Sequence, residues 1–271
     1  MYGDGALIES NSMSESSIGL YIMFARDPRV IGNRIVNNHG PIGGGIGLKD
    51  VDGAVIEGNR LVNNLTALHV DTSPRSPGIE NVIRGNVFAY NQAGIGFLPS
   101  VRNNTVVGNT FLDNTEHVAV IGRGQLQEIT WAENGRGNYW SDYAGYDADG
   151  DGIGDVPYRS QRLFESLTDG APLLRLFTWT PAASAVDFAA RAMPFARPEE
   201  KLADPAPLMA PEAHPALPPL PADRRRDRLG LAASGLALAG GAAIAGLALR
   251  RRTGSLPRPA PARIRTVEAA S

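Results

Sequence analysis

Cysteine is absent from the chain, which excludes disulfides and thiolate metal sites without fixing the compartment. A dominant charge is also lacking. Lys and Arg total 26 against 28 Asp and Glu, for a net charge of −2. Arg gathers near the C-terminus, and no basic stripe interleaved with aromatics occurs, so nothing points to nucleic acid. The first residues carry neither a positively charged apolar leader nor a polar capping element before the first repeat. A solenoid needs a cap on each open end, so this start reads as truncated, and a longer natural protein is expected.

What the chain does have is repetition. Val30-Ile31-Gly32-Asn33, Val55-Ile56-Glu57-Gly58-Asn59, Val82-Ile83-Arg84-Gly85-Asn86 and Val106-Val107-Gly108-Asn109 each join an apolar pair to a Gly-Asn step. The asparagines recur at 26, 27 and 23 residues (59−33, 86−59, 109−86), and a weaker copy around Asn11 precedes them. After each step comes a second short apolar strand: Gly45-Ile46-Gly47-Leu48, Ala67-Leu68-His69-Val70, Gly94-Ile95-Gly96-Phe97 and His117-Val118-Ala119-Val120. Repeats of this length, with strands alternating at period 2, specify an all-β solenoid in which each coil buries its apolar face against its neighbours. A right-handed parallel β-helix is the expected fold. A leucine-rich repeat would need a Leu-x-x-Leu-x-Leu frame, which is missing. Superposing the copies predicts inward columns Ile35/Leu61/Phe88/Phe111, Ile46/Leu68/Ile95/Val118 and Leu48/Val70/Phe97/Val120, with Met13 joining the first. Asn38, Asn64, Asn91 and Asn114 fall at one turn of successive coils, where stacked amides form a ladder and tolerate a left-handed corner.

Two segments, 39–45 and 71–78, are longer than their counterparts and should protrude, which is where solenoids place binding groups. They offer His39, Lys49, Asp50, Asp52, His69, Asp71 and Arg75. The alignment places His69 outward and exposed, in the position held by Gly47, Gly96 and Ala119 in the other coils.

The solenoid is expected to span residues 1–158 and to end in a lid of four aromatics within 137–146, followed by an acidic loop. Asp147, Asp149, Asp151 and Asp155 occupy positions 1, 3, 5 and 9 of an EF-hand-like calcium loop, with Gly152 at position 6. Tyr158 stands at position 12, where a bidentate Glu belongs. Two readings are open: a calcium site, or an Asp/Gly turn satisfied by its own backbone.

Residues 1–210, through the 137–158 segment, the Leu173-Leu174-Arg175-Leu176-Phe177 and Asp187-Phe188-Ala189-Ala190-Arg191-Ala192 continuation and the 201–209 ending, resemble the carboxy-terminal half of the NosD family. These are periplasmic accessory proteins of nitrous oxide reductase maturation. The resemblance implies a non-enzymatic role with an ABC transporter membrane subunit, the reductase and a copper chaperone, delivering copper or sulfur for the copper-sulfide centre. It supplies no compact copper motif. For Cu(I) the soft ligands available without Cys are His and Met, and the candidates are His69, His117, which begins the matching strand two coils on, and Met23.

Beyond the solenoid, 159–193 is expected to be an extension containing a short amphipathic helix, and 194–228 a Pro/Ala-rich linker with a basic flank. Residues 229–249 are uncharged and long enough to span a bilayer as one transmembrane helix, and 250–271 form a basic tail. That charge pattern places the tail in the cytoplasm and the β-helix in the periplasm, anchored to the inner membrane. The competing reading is a polysaccharide-acting β-helix enzyme of the lyase or epimerase kind, for which Lys49, Asp50 and Asp52 come nearest to a charged cleft. A carbohydrate-binding module is the third reading and needs exposed aromatics along a strand face.

Overall fold

The computed structural model describes residues 3–40, 43–160 and 200–212, with isolated positions between 174 and 186. The chain winds through short strands, three to a coil. The first coil holds β1 (Leu7–Glu9), β2 (Ser12–Ser14) and β3 (Ile18–Met23); the second β4 (Arg29–Ile31), β5 (Arg34–Val36) and β6 (Gly44–Lys49). The third holds β7 (Val55–Glu57), β8 (Arg60–Val62) and β9 (Thr66–Asp71); the fourth β10 (Asn81–Arg84), β11 (Val87–Ala89) and β12 (Ala93–Phe97); the fifth β13 (Asn104–Val107), β14 (Thr110–Leu112) and β15 (Glu116–Val120). A partial sixth holds β16 (Ile129–Thr130) and β17 (Tyr139–Trp140). Equivalent strands pair in parallel to give sheets of six, six and five strands, a parallel β-solenoid as expected.

Register follows the anticipated columns. Met13, Ile35, Leu61, Phe88 and Phe111 stack along the second sheet, and Trp140 continues the column. Ile46, Leu68, Ile95 and Val118 stack in the third sheet, as do Leu48, Val70, Phe97 and Val120, all of them buried. Removing a Leu, Ile or Phe side chain of this kind from water contributes about 1.5–3 kcal/mol, and repetition of the column sums that contribution. Toward the C-terminal end the column turns wholly aromatic: Phe88, Phe111, Trp140 and Tyr158 stack with centroids 5.0, 4.3 and 4.4 Å apart. The aromatic lid is thus built by Trp140 and Tyr158, whereas Tyr146 is exposed.

The asparagine ladder is present. The Nδ2 of Asn38, Asn64 and Asn91 each donates to Oδ1 of the next member, ending at Asn114. The left-handed corner, however, falls on the preceding residue in each coil: Asn37, Asn63, Tyr90 and Asp113 carry φ between 47° and 60°. The ladder amides need the extended backbone that points them inward, and the residue before absorbs the bend. A second ladder runs through Asn11, Asn33, Asn59, Asn86, Asn109 and Asn138. Its left-handed neighbours are Gly32, Gly58, Gly85 and Gly108, which explains the Gly-Asn step as one bend and one rung.

The far end is closed by residues 200–212. β18 (Tyr158–Ser160) pairs antiparallel with β19 (Leu202–Asp204), burying Leu202 and Asp204. Beyond it, Leu208 bridges Tyr139 and Ile153. Among the described residues no helix is long and apolar enough to cross a membrane. Within the segment read as a Pro/Ala-rich linker, 200–212 instead packs on the solenoid end, because Leu202, Ala206 and Leu208 find apolar cover there. The rest of that linker, most of the expected amphipathic helix and the transmembrane helix lie outside the described residues.

Candidate functional site

The outward face of the third sheet carries the first group of candidates. Tyr21, Gly47, His69, Gly96 and Ala119 form one row, and Met23, Lys49 and Asp71 form the next. Tyr21 lies across Gly47, where a Cβ would meet its ring at 2.3 Å. Together with Ile18, Gly43, Gly44, Ile46, Thr66 and His69 they enclose a groove of about 130 Å³. His69 is therefore half-buried in a groove wall, not fully exposed, because Tyr21 reaches over the glycine that separates them. Burial holds its imidazole below the ordinary histidine value, opposed by Asp71 and assisted by Lys49, so it is neutral and able to accept or ligate at neutral pH.

Met23 stands two coils and one outward position away from His69, roughly 12 Å at the backbone by strand spacing. Its row is occupied by the Lys49–Asp71 ion pair at 2.6 Å, and Thr72 Oγ1 donates to the same carboxylate. The Lys49 ammonium is raised by this hydrogen bond and charge, whereas Asp71 lies below the ordinary aspartate range: burial pushes it up, but the hydrogen bonds from Lys49 and Thr72 outweigh burial.

Asp52 turns elsewhere. It is buried and accepts from the amides of Arg75 and Ser76 and from the Ser76 hydroxyl, pinning the 71–78 segment. Those bonds overcome its burial and hold its pKa down. Asp50 occupies a left-handed bend. Lys49 and Asp52, two of the three charged groups considered for a lyase-like cleft, thus turn to separate structural partners. His39 is exposed, near the edge of the described residues.

His117 lies at the start of β15, as the repeats suggest, but it is buried. The row of His69 continues to Ala119, two residues further on. His117 is 8% exposed and lies beside the stacked rings of Phe111 and Trp140, tilted against both at 5.9 and 5.8 Å. Its Nδ1 faces Asn114 Nδ2 at 3.3 Å, and its Nε2 lies 3.1 Å from Asp142 Oδ1. Because an amide nitrogen only donates, Nδ1 is the acceptor and the proton sits on Nε2, directed at Asp142; this tautomer is assigned from the hydrogen-bond network. His69 and His117 are not brought together.

The acidic loop sits below. Ligand-capable oxygens of Asp147, Asp149 and Asp151 lie within 4.8 Å of one another. Each also accepts backbone N–H groups: Asp147 from Gly150 and Gly152, Asp149 from Asp151, and Asp151 from Ile153. Asp155 accepts from Ala148 and is not one of the trio. Asp147 is held below the ordinary range, chiefly by the Gly152 amide. Tyr158 is buried on Trp140 and offers the loop no ligand at position 12. The loop is held by its own backbone, and Asp147, Asp149 and Asp151 keep oxygens close enough to share a cation.

The repeats gave no sign of Asp204. Fully buried, its Oδ2 accepts from the Asn138 amide at 2.7 Å, Asn138 Nδ2 at 3.3 Å and Trp140 Nε1 at 2.9 Å, while Oδ1 accepts from Ala206. It ends the longer ladder. Burial raises its pKa against these donors. Above it, Lys201 Nζ donates to Glu116 at 2.5 Å, both nearly buried.

A family model described as periplasmic copper-binding protein (NosD) matches residues 1–145. A Pseudomonas aeruginosa protein named "Probable ABC transporter binding protein NosD" is 32% identical over 179 residues, 64% of this chain and 41% of the relative. A protein of the same name from Stutzerimonas stutzeri is 34% identical over 114 residues, 42% of this chain and 26% of the relative. The chain spans about two-fifths of the first relative's length and about a quarter of the second's. Its coils, its register and a family model that covers more than half of its residues agree: this chain belongs to the NosD family.

Proposed function

We propose that the chain is the solenoid part of a non-enzymatic periplasmic accessory protein that works with an ABC transporter in assembling the copper-sulfide centre of nitrous oxide reductase. The observation that carries this reading is the family match over residues 1–145, described as periplasmic copper-binding, together with relatives named as ABC transporter binding proteins. The separate structural partners of Lys49, Asp52 and Asp71 support a scaffold over a polysaccharide-acting enzyme. The transmembrane helix at 229–249 completes the reading by holding the solenoid at the inner membrane. The direct test is deletion of the gene in its host. The reductase is then expected to accumulate without its copper-sulfide absorption and activity, and unchanged reductase overturns the proposal.

Copper contact on this stretch is assigned to His69, whose neutral, half-buried imidazole is the available nitrogen ligand on the third-sheet face. Met23 is the nearest candidate sulfur, reached across the Lys49–Asp71 row. His117, whose two nitrogens are engaged, acts through Asp142. Cu(I) titration of the chain should lose its tightest equivalent in His69→Ala, lose affinity in Met23→Leu and retain its stoichiometry in folded His117→Gln. Equal binding by wild type and His69→Ala removes this site.

A further inference from the structure

The segment 200–212 closes the solenoid as a ligand fills a site. Leu202, Asp204, Ala206 and Leu208 turn inward at every second residue and are buried, whereas Pro205 and Met209 are exposed. Backbone bonds hold the segment on both sides. The Gly137 and Gly154 amides donate to the carbonyls of Ala206 and Pro207, and the Leu208 and Met209 amides donate to those of Asn138 and Gly152. At the centre is a socket for one carboxylate. The Asn138 amide and Trp140 Nε1 converge on Asp204 Oδ2 at 2.7 and 2.9 Å, and a Cβ at Gly137 would strike the same carboxylate. Both donors are buried, and among the described residues neither has another acceptor, so the socket is complete only with an acid in it.

None of these contacts depends on the covalent path from Ser160 to Glu200. That path is residues 161–199, whose contour length is on the order of 100 Å, enough to reach a neighbouring molecule. From this geometry we infer that the closed end is a strand-accepting site keyed to one carboxylate, and that a second copy of the chain fills it with its own 200–212 segment, so that two molecules exchange closing strands. The exchanged pair repeats every bond described above, which makes the exchange a low-cost route to association. In dilute solution each molecule keeps its own strand, because the tether gives that strand a high effective concentration; exchange gains as the chain is concentrated. The occupant is specified by its chemistry: apolar, acidic, small and apolar residues at alternate positions, as in Leu202, Asp204, Ala206 and Leu208. The inference does not depend on copper or on the reductase.

The absence of cysteine makes the test direct. Arg159 and Ala203 are register partners on antiparallel strands, and such directly opposed residues stand about 4.5–5.5 Å apart at Cα, within disulfide range. Full-length Arg159→Cys and Ala203→Cys chains, mixed in detergent, equilibrated and oxidised, should give a disulfide-linked heterodimer whose yield rises with concentration. A single chain carrying both substitutions should close on itself when dilute. Asp204→Ala in the Ala203→Cys chain should lower the heterodimer at least 10-fold, since the donated strand has lost its acid. In the Arg159→Cys chain it should raise the yield, since that chain's own strand no longer competes. Asp204→Asn, which keeps an oxygen in the socket, should shift both yields in the same directions by less. Three outcomes overturn the proposal: a double variant that does not close, which removes the strand pairing; no heterodimer at any concentration although the double variant closes; or a heterodimer whose yield responds equally to Asp204→Ala in either chain, which means contact elsewhere.

Discussion

The two asparagine ladders run side by side through the same coils with the same donor direction, yet they stop in different ways. The longer one ends on Asp204, which lies 66 residues beyond Asn138 in sequence. The shorter ends on His117, three residues beyond Asn114. A ladder of amides needs a terminal acceptor, because its last member otherwise leaves buried N–H groups unpaired. Where that acceptor comes from a distant segment, ending the ladder also fastens that segment. Where it comes from the next strand, ending the ladder only orients a local side chain. One terminus therefore governs closure of the solenoid, and the other sets a histidine against Asp142.

The largest effect should come from Asp204→Ala. It orphans the Asn138 amide and Trp140 Nε1 in a buried place, while Asn138 Nδ2 keeps the Val106 and Trp131 carbonyls, at a cost of about 3–5 kcal/mol. Thermal denaturation should show this, and hydrogen exchange should show the Leu202–Asp204 amides losing protection together. His117→Ala should cost about 2 kcal/mol, from a cavity beside the Phe111–Trp140 stack, while Leu202–Asp204 stays protected. If both variants release 202–204 equally, the contrast between the termini is wrong.

Acid–base behaviour sharpens the comparison further. Asp204 has a raised folded pKa, so its contribution is fully present below the ordinary aspartate pKa of about 3.9 and is lost as pH rises through the folded value. Asp52 and Asp71 have lowered values, so their contributions hold above about 3.9 and are lost as pH falls. Stability measured against pH should therefore decline less, on rising from about pH 4, in Asp204→Asn than in wild type. A difference between the two that does not vary with pH rejects the assignment. Least should happen at the acidic loop. Asp147→Asn should loosen the Gly150 and Gly152 amides in hydrogen exchange without moving the melting midpoint measurably.

Much of this was legible in the sequence, for a physical reason. Ile46, Leu68, Ile95 and Val118 declare their column because a strand repeats every two residues and a coil repeats at nearly constant length, so position in the copy is position in space. Asn38, Asn64, Asn91 and Asn114 were readable as rungs on the same ground. The Gly-Asn step was visible too, but its asparagines showed themselves as a second ladder only once Gly32, Gly58, Gly85 and Gly108 were seen to take the bend. His117 misled because the Asn114 corner directs it into the aromatic core. Asp204 belongs to no repeat. A group recruited from outside the period leaves no periodic trace, and a lone Asp in a Pro/Ala-rich context carries no sign of burial.

The one-way donation of the longer ladder bears on how such a chain can change its number of coils. Each asparagine from Asn33 to Asn109 both receives from one neighbour and gives to the next, so a duplicated or deleted coil leaves an unbroken relay and should be tolerated as a modular event. Past Asn138 this freedom ends. An ionised Asp204 takes hydrogens and has none to hand on, so no further coil can be joined there without first replacing the stop. Lengthening by duplication is open on one side of that residue and closed on the other.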